Sequence, residues 1–356
     1  MTKIIITGGH HNAALVVADL LRARGVSVVW IGHRHAARGD RQKSAEYLEV
    51  TAHNFPFHAL QAGRFTLSLQ EIIRLPVGFF QSWSILRKEQ PDAVLSFGGY
   101  LGAAVALSAA LLGIRVYLHE QTRSAGLANK LIGKFARRIY LTWPDSQRHF
   151  KKEKIKVVGL PLRQNILDAR PAILFDSKLP NLLVLGGKQG SHRLNTFIFK
   201  HIHDLLPQFN IIHQTGTSSV TGDHAKSLTL KESLGSKGQG YLPVNYISET
   251  DIGPYLKAAN VYLGRSGAHI TYELAVLGLP SVLVPFMHTH DAEQQQNAQY
   301  LKSVGLGEVV SESELTLTGV LAAIKQVMGR ATPKQKLTSN AGETLVNDVL
   351  RDVRGD

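Results

Sequence analysis

A short apolar strand, a Gly-Gly turn and a helix occur twice in this chain, about 180 residues apart. The first copy is the strand Lys3–Thr7 (KIIIT), the turn Gly8-Gly9-His10-His11, a helix over Asn12–Arg24 and a second strand at Val26–Ile31. The second copy is the strand Leu182–Leu185, the turn Gly186-Gly187-Lys188-Gln189-Gly190, a helix capped by Ser191 and the strand Asn210–Gln214. Parallel neighbours need a crossover, and a helix between two buried strands supplies one. Two such starts in 356 residues predict two α/β, doubly wound, Rossmann-like domains, expected to face each other across a central cleft. The first is read as residues 1–160 and the second as 161–336, joined at the Gly/Pro-punctuated segment GLPLR (159–163). A final helix, 337–356, with Leu337, Ala341, Leu345, Val346, Val349 and Leu350 as its apolar face, is expected to return to the first domain.

More strands end in polar turns. Asp92–Phe97 runs into Gly98-Gly99-Tyr100 and the small-residue helix 101–112. Arg115–Leu118 runs into His119-Glu120-Gln121-Thr122, and Ser124 is placed to cap a helix over Ala125–Ala136. Val261–Leu263 runs into Gly264-Arg265-Ser266-Gly267-Ala268-His269 and a helix carrying Glu273. The apolar run PSVLVPF (280–286) ends at a loop with His288, His290, Asp291, Glu293 and Gln294. Open α/β sheets bind ligands beyond the carboxyl ends of their strands. Helix N-termini there present unpaired N–H groups suited to phosphate. Tight packing explains any single Gly-Gly turn. Four glycine turns, at 8–9, 98–99, 186–187 and Gly264/Gly267, favour ligand binding.

Lys and Arg number 40 against 27 Asp and Glu, a net charge of +13. That balance suits an anionic partner, or serves general solubility. Clustered basic-aromatic motifs are missing, so a nucleic-acid partner is not expected. The chain has no cysteine, which excludes disulfides and Cys-ligated zinc. MTKIIITGG reads as a strand and turn rather than a signal peptide, and no run of ~18 uncharged apolar residues spans a membrane. The segment 69–88 combines Phe79, Phe80 and Trp83 with Arg74, Arg87 and Lys88, and Pro76 and Gly78 are expected to interrupt its first part. It reads as a core helix, as an apolar patch rimmed by cations for an anionic bilayer, or as one on each face.

Several side chains carry candidate chemistry. His10 lies in the first Gly turn, a suitable place for a general base, with His11 chemically equivalent beside it. Glu273 can grip a ribose diol or be a solvated helix charge. Arg265 can bind phosphate or form a surface ion pair. His288, His290, Asp291 and Glu293 lack the spacing of a metal set, so no metal is expected. Hydrogen bonding to a sugar or nucleotide suits Gln294 and its neighbours better.

Five stretches in this order resemble one family. They are ITGGHHNAAL (6–15), SFGGYLGAAVALSAALLGIRVYLHEQTRSAGLANKLIGKFA (96–136), GLPLR (159–163), GGKQGSHRLN (186–195) and the segment 265–298. They are similar to the Gly-rich loops, HEQN-x-x-x-G-x-x-N-K segment, linker and UDP-binding core of the MurG-type glycosyltransferases. The resemblance implies a GT-B fold and metal-independent, inverting transfer of GlcNAc from UDP-GlcNAc to lipid I, without a cofactor. The acceptor it implies is undecaprenyl-pyrophosphoryl-MurNAc-pentapeptide. On the donor side it implies Ile247 at the uracil, Arg265, Ser266, Gly267, Ala268 and His269 along the nucleotide, and Glu273 on the ribose. Glu293 and Gln294 would reach ribose and GlcNAc, Lys188 and Gln189 the pyrophosphate and sugar, and Arg163 the diphosphate. On the acceptor side, Gly8, Gly9, Gly98, Gly99 and Tyr100 would take the lipid diphosphate, with His119, Glu120 and Gln121 completing the site and His10 as base. Phe79, Phe80 and Trp83 would dock the protein on the anionic cytoplasmic leaflet, as a cytoplasmic protein peripheral to the inner face of the membrane.

The chain departs from the family pattern at several positions. The first loop lacks two glycines before Thr7, and Ala13 stands where Pro is usual. Thr122 replaces the Asn of HEQN, Lys188 a Ser and Glu293 a Gln. The donor side is kept better than the acceptor side. Two other functions therefore stay open: transfer to a different polyisoprenoid or glycolipid acceptor, and an inert UDP-sugar-binding scaffold.

Overall fold

The run KIIIT becomes a strand whose three isoleucines, Ile4, Ile5 and Ile6, are all fully buried. A strand buried on both faces needs helices on both sides of its sheet. The computed structural model describes residues 1–355 apart from 36–42, 61–74, 249–250, 287–291 and 331–336. Met1–Leu162 with Thr338–Asp356 form one compact unit, and Arg163–Leu337 form a second.

The strands of the first unit are β1 (Lys3–Gly8), β2 (Ser27–Gly32), β3 (Phe57–Ala59), β4 (Ala93–Phe97), β5 (Arg115–Glu120), β6 (Arg138–Leu141) and β7 (Ile155–Val157). They pair in parallel in the order β3-β2-β1-β4-β5-β6-β7. The second unit contains β8 (Asn181–Leu185), β9 (Asn210–Gln214), β10 (Tyr241–Val244), β11 (Val261–Gly264), β12 (Ser281–Leu283) and β13 (Gly307–Val309). Its parallel order is β10-β9-β8-β11-β12-β13. Both sheets run outward in two directions from their first strand. Each reverses direction between its first strand and its fourth, at β1/β4 and at β8/β11. Doubly wound sheets bind ligands at that reversal.

Strand alternation divides the second core into two layers. Leu182 and Val184 pack with the helices His192–Leu205 and Leu317–Met328. Leu183 and Leu185 pack with Ile252–Ala258, Ala268–Leu277 and Glu293–Ser303 on the other side. In the first unit, Ile5, Val94, Val116 and Leu118 pack with Leu75–Glu89, Gly99–Leu111 and Leu127–Phe135. The C-terminal helix is Ala341–Arg354, and its Asp348 accepts from the Tyr140 hydroxyl (2.8 Å) and Lys156 (2.7 Å). Leu337 packs in the second unit's core instead of opening that helix.

Two local expectations are corrected. Ser124 is not the cap of this helix, which begins at Leu127 with Gly126 at the cap position and no side-chain capping bond. Pro76 and Gly78 do not interrupt the helix Leu75–Glu89. Pro76 is its second residue, where no intrahelical N–H bond is lost.

The turn after β8 is fastened to the turn after β9 by backbone approach. Gly190 has φ +85°, and a Cβ there would lie 2.0 Å from the Thr215 carbonyl oxygen. Left-handed strain adds to that overlap. Gly190→Ala is therefore expected to destabilise the second unit by about 3 kcal/mol or more, read as a lower urea midpoint. An unchanged midpoint would mean that the turn relaxes freely.

Candidate functional site

The glycine turns predicted to bind ligands lie at the two sheet reversals, after β1 and β4 in the first unit and after β8 and β11 in the second. In the first unit a Cβ on Gly9 would sit 3.3 Å from Gly98 and Gly99, so the turns touch. His10 occupies the N-cap position of the helix His11–Ala23 and makes no capping bond. Burial, helped by adjacent His11, lowers its pKa to about 4, so the imidazole is neutral near pH 7. His11 is engaged elsewhere, with Nε2 at 2.8 Å from Glu49 Oε2. That pairing separates two residues the sequence left equivalent, and leaves His10 as the candidate base.

His119 is fully buried at the end of β5. Its Nε2 lies 3.1 Å from the Gly159 carbonyl, which requires the proton on Nε2 and leaves Nδ1 an acceptor. Burial lowers its pKa to about 4 despite the carbonyl, with His10 close enough to lower it further. The Nδ1 atom, Gln121 Oε1 and Thr7 Oγ1 are buried without a hydrogen-bond partner among the described residues. Unmatched buried polar atoms cost on the order of 1–3 kcal/mol each until a ligand or water meets them.

Two acceptor-side expectations change. The amides of Gly98 and Gly99 are spent inside the protein, on Ser96 Oγ (3.2 Å) and Asn129 Oδ1 (3.1 Å). A diphosphate at this turn would meet the later amides of the helix Gly99–Leu111, starting with Tyr100. Glu120 is fully buried and accepts from the Thr122 amide (2.8 Å), the Thr122 hydroxyl (2.7 Å) and Asn129 Nδ2 (2.7 Å). Its carboxylate is thus tied to β5's own loop and to the helix Leu127–Phe135. The Tyr100 hydroxyl lies 2.6 Å from His33 Nε2, a partner the sequence did not suggest.

In the second unit Ser191 caps the helix His192–Leu205 through the Leu194 amide, as expected. Arg265 ties loops together: it donates to the Val284 carbonyl (2.9 Å), to Ser191 Oγ (2.8 Å) and to Glu312, and its guanidinium lies over Phe286. It is a part-buried brace, with 13% of its side chain exposed. Ser266 is buried and donates to the Gln294 carbonyl (2.7 Å), while Gln294 Oε1 accepts from the Phe286 amide (3.0 Å). These bonds join the two loops that the sequence placed side by side.

Gly267 caps the helix Ala268–Leu277, whose first-turn amides lie at the β11 end. A Cβ on Gly267 would meet no atom within 4 Å among the described residues. Glu273 sits farther along this helix, 3% exposed, with Arg163 Nη2 at 3.1 Å from Oε1. It is therefore a buried carboxylate, and Arg163 is its partner. The Ile247 amide donates to Gln214 Oε1 (2.9 Å), and Gln214 Nε2 donates to the Gly187 carbonyl (3.0 Å). Sequence reasoning missed Gln214. Its place at the end of β9 was the only signal.

Lys188 Nζ lies 5.4 Å from the Tyr246 ring centroid. The Gln189 carbonyl accepts from the Ser218 amide, and Glu293 opens the helix Glu293–Ser303. A cavity of about 880 Å³ is bounded by Gly186, Gly190, Ser191, Arg265, Phe286 and Gln294 among others. That volume is in the range of small-molecule sites. His288, His290 and Asp291 lie outside the described residues. Among the described residues no three His, Asp or Glu side chains form a metal-holding group.

On the helix Leu75–Glu89, Phe80 is 67% exposed and Val77 43%, while Leu86 is buried. Phe79 and Trp83 are half-buried, with ring centroids 5.8 Å apart. One face belongs to the core and the other to the surface. No helix among the described residues is long and apolar enough to cross a membrane.

Residues 5–141 match the N-terminal domain of glycosyltransferase family 28, and residues 181–350 its C-terminal domain. A Clostridium botulinum (strain 657 / Type Ba4) protein is 31% identical over 327 residues, 88% of each chain. An Anaeromyxobacter dehalogenans (strain 2CP-1) protein is 30% identical over 348 residues, 94% of this chain and 86% of that one. Both are named UDP-N-acetylglucosamine–N-acetylmuramyl-(pentapeptide) pyrophosphoryl-undecaprenol N-acetylglucosamine transferase. The crystal structure of Acinetobacter baumannii MurG shares the fold, with TM-score 0.72 at 22% identity over 99% of this chain and 100% of that one. The two parallel-sheet units are thus of GT-B type, and the chain belongs to the MurG family within glycosyltransferase family 28.

Proposed function

We propose that this enzyme transfers GlcNAc from UDP-GlcNAc to the MurNAc of lipid I, forming lipid II for peptidoglycan. The observation that carries the reading is the near-full-length similarity to transferases of that name, at 30–31% identity. The site geometry is consistent with it. An acceptor hydroxyl loses its proton to neutral His10 as its oxygen bonds to the anomeric carbon. The bond from that carbon to the UDP diphosphate breaks on the opposite face. Negative charge growing on UDP is met by the first-turn amides of the helix Ala268–Leu277 and the positive end of its dipole. Glu273 takes the ribose, the Ile247 carbonyl faces uracil, and Gln294 Nε2 and Glu293 serve the sugar. Lys188 and Gln189 flank the pyrophosphate. This assignment needs no metal or cofactor.

The exposed Phe80 and Val77 face would rest on the anionic inner leaflet, where a polyisoprenoid substrate resides. Phe80→Ser is expected to weaken binding to anionic vesicles by about tenfold or more, at unchanged melting temperature. Retained vesicle binding would remove this face from docking. A different polyisoprenyl acceptor is favoured by one observation: the Gly98 and Gly99 amides are engaged internally. An acceptor panel with radiolabelled UDP-GlcNAc decides between them. Preferential labelling of lipid I supports the main reading, and faster labelling of another polyisoprenyl acceptor overturns it.

A further inference from the structure

The Gly98–Gly99 turn is held by a directional chain of hydrogen bonds that starts at Glu120. We propose that Glu120 and Asn129 are positioning residues that set this turn for the acceptor diphosphate, an inference that rests on the acceptor reading above.

A carboxylate only accepts. Glu120 Oε1 already receives the Thr122 amide, with the Thr122 hydroxyl placed to donate as well. Its Oε2, 2.7 Å from Asn129 Nδ2, demands the amino end of the Asn129 amide. The carbonyl end of that amide is thereby turned to the Gly99 N–H, 3.1 Å away. Glu120 thus dictates which way Asn129 faces, and Asn129 dictates where the Gly99 amide points. The packing around the turn leaves little slack. Gly98 has φ +86°, a Cβ on it would lie 2.6 Å from the Asn129 amide atoms, and Gly99 lies against Gly9. Shifting Asn129 therefore shifts both glycine turns at the β1/β4 reversal. Thr122, which stands where the family pattern has Asn, supplies its amide to the carboxylate, while its one hydroxyl proton is shared between Glu120 Oε1 and the Ser124 carbonyl, each 2.7 Å away.

The polarity of the chain can be broken and rebuilt. In Glu120→Gln one side-chain end becomes a donor, and it meets the Asn129 amino group. Asn129 must then tolerate two facing donors or flip and turn its amino group on the Gly99 N–H. In Asn129→Asp two carboxylates meet. The double variant Glu120→Gln/Asn129→Asp restores every pairing: Gln donates to Asp, and Asp accepts from Gly99.

The test measures the KM for lipid I, the KM for UDP-GlcNAc, kcat and the hydrogen exchange of the Gly99 amide. Each single variant is expected to raise the lipid I KM about tenfold or more, leave the UDP-GlcNAc KM within about twofold and speed Gly99 exchange. The double variant is expected to recover lipid I KM and exchange protection together. Singles with wild-type lipid I KM, or a double variant no better than the singles, would overturn the proposal. If the wild type fails to glycosylate lipid I, the functional reading fails by itself. Gly99 exchange across the four proteins then decides the clamp: slow in wild type and double variant, fast in both singles, or the clamp is wrong.

Discussion

His10→Ala is expected to lower transfer by roughly 10²–10⁴-fold while leaving UDP-GlcNAc affinity unchanged. The size follows from losing the proton acceptor in the bond-making step. The selectivity follows from position, because His10 belongs to the first unit and the proposed donor contacts to the second. His11 does not replace it, since it is paired with Glu49. The pH profile gives a second reading. Burial lowers the folded pKa of His10 to about 4, so the imidazole stays free of its proton down to that region. The acid limb of kcat/KM due to this group should therefore lie near its folded pKa, well below the usual histidine range. Stability moves in the same direction. His119 and His213 are buried neutral, with pKa values lowered to about 4 and about 3 by burial. Unfolding lets them take up protons below their unfolded pKa of about 6.5, so stability declines as pH falls from there toward the folded values. Activity loss at acid pH must be separated from this unfolding by a parallel melting curve. Full activity of His10→Ala would remove it as base.

Glu273→Ala has the second-largest expected effect, on donor binding and on stability together. Its carboxylate is 3% exposed and Arg163 holds one oxygen. Deleting it removes an anion from beside Arg163, whose side chain is 19% exposed. The expected stability loss is about 3 kcal/mol, the low end for a broken buried pair, because Arg163 retains some water. Donor affinity should fall by roughly a further 1–3 kcal/mol, the cost of a ribose diol left without its acceptor. Calorimetric titration with UDP-GlcNAc, well below the variant's melting temperature, separates the two. Unchanged affinity with lowered stability would make Glu273 a structural partner of Arg163 and nothing more.

The sequence exposed those features whose cause is local. KIIIT and NLLVL announce buried parallel strands because both faces are apolar. The turns at 8–9, 98–99, 186–187 and 264–267 announce the sheet reversals because glycine removes the Cβ where backbone and ligand approach. The features that stayed hidden depend on partners distant in the chain. His11 cannot be distinguished from His10 until Glu49 is placed beside it. Gln214 means nothing until β9 brings it between Gly187 and Ile247. The bonds from Arg265 in GRSGAH to Val284, Ser191 and Glu312 could not be read from the motif, because those partners are distant in the chain. The bond from Asn129 to Glu120 joins HEQT to the helix that follows it, and the motif alone does not show it. Pro76 reads as a breaker until the helix is seen to begin one residue before it.

The central claim is a base-assisted single displacement between UDP-GlcNAc and lipid I. Its most direct test is the linkage formed by the purified protein in the presence of EDTA, analysed by NMR of the isolated product. The account predicts lipid II with β-linked GlcNAc, inverted from the α-linked donor, and UDP released in equal amount. An α-linked product, a requirement for added metal, or UDP release without lipid II would contradict it.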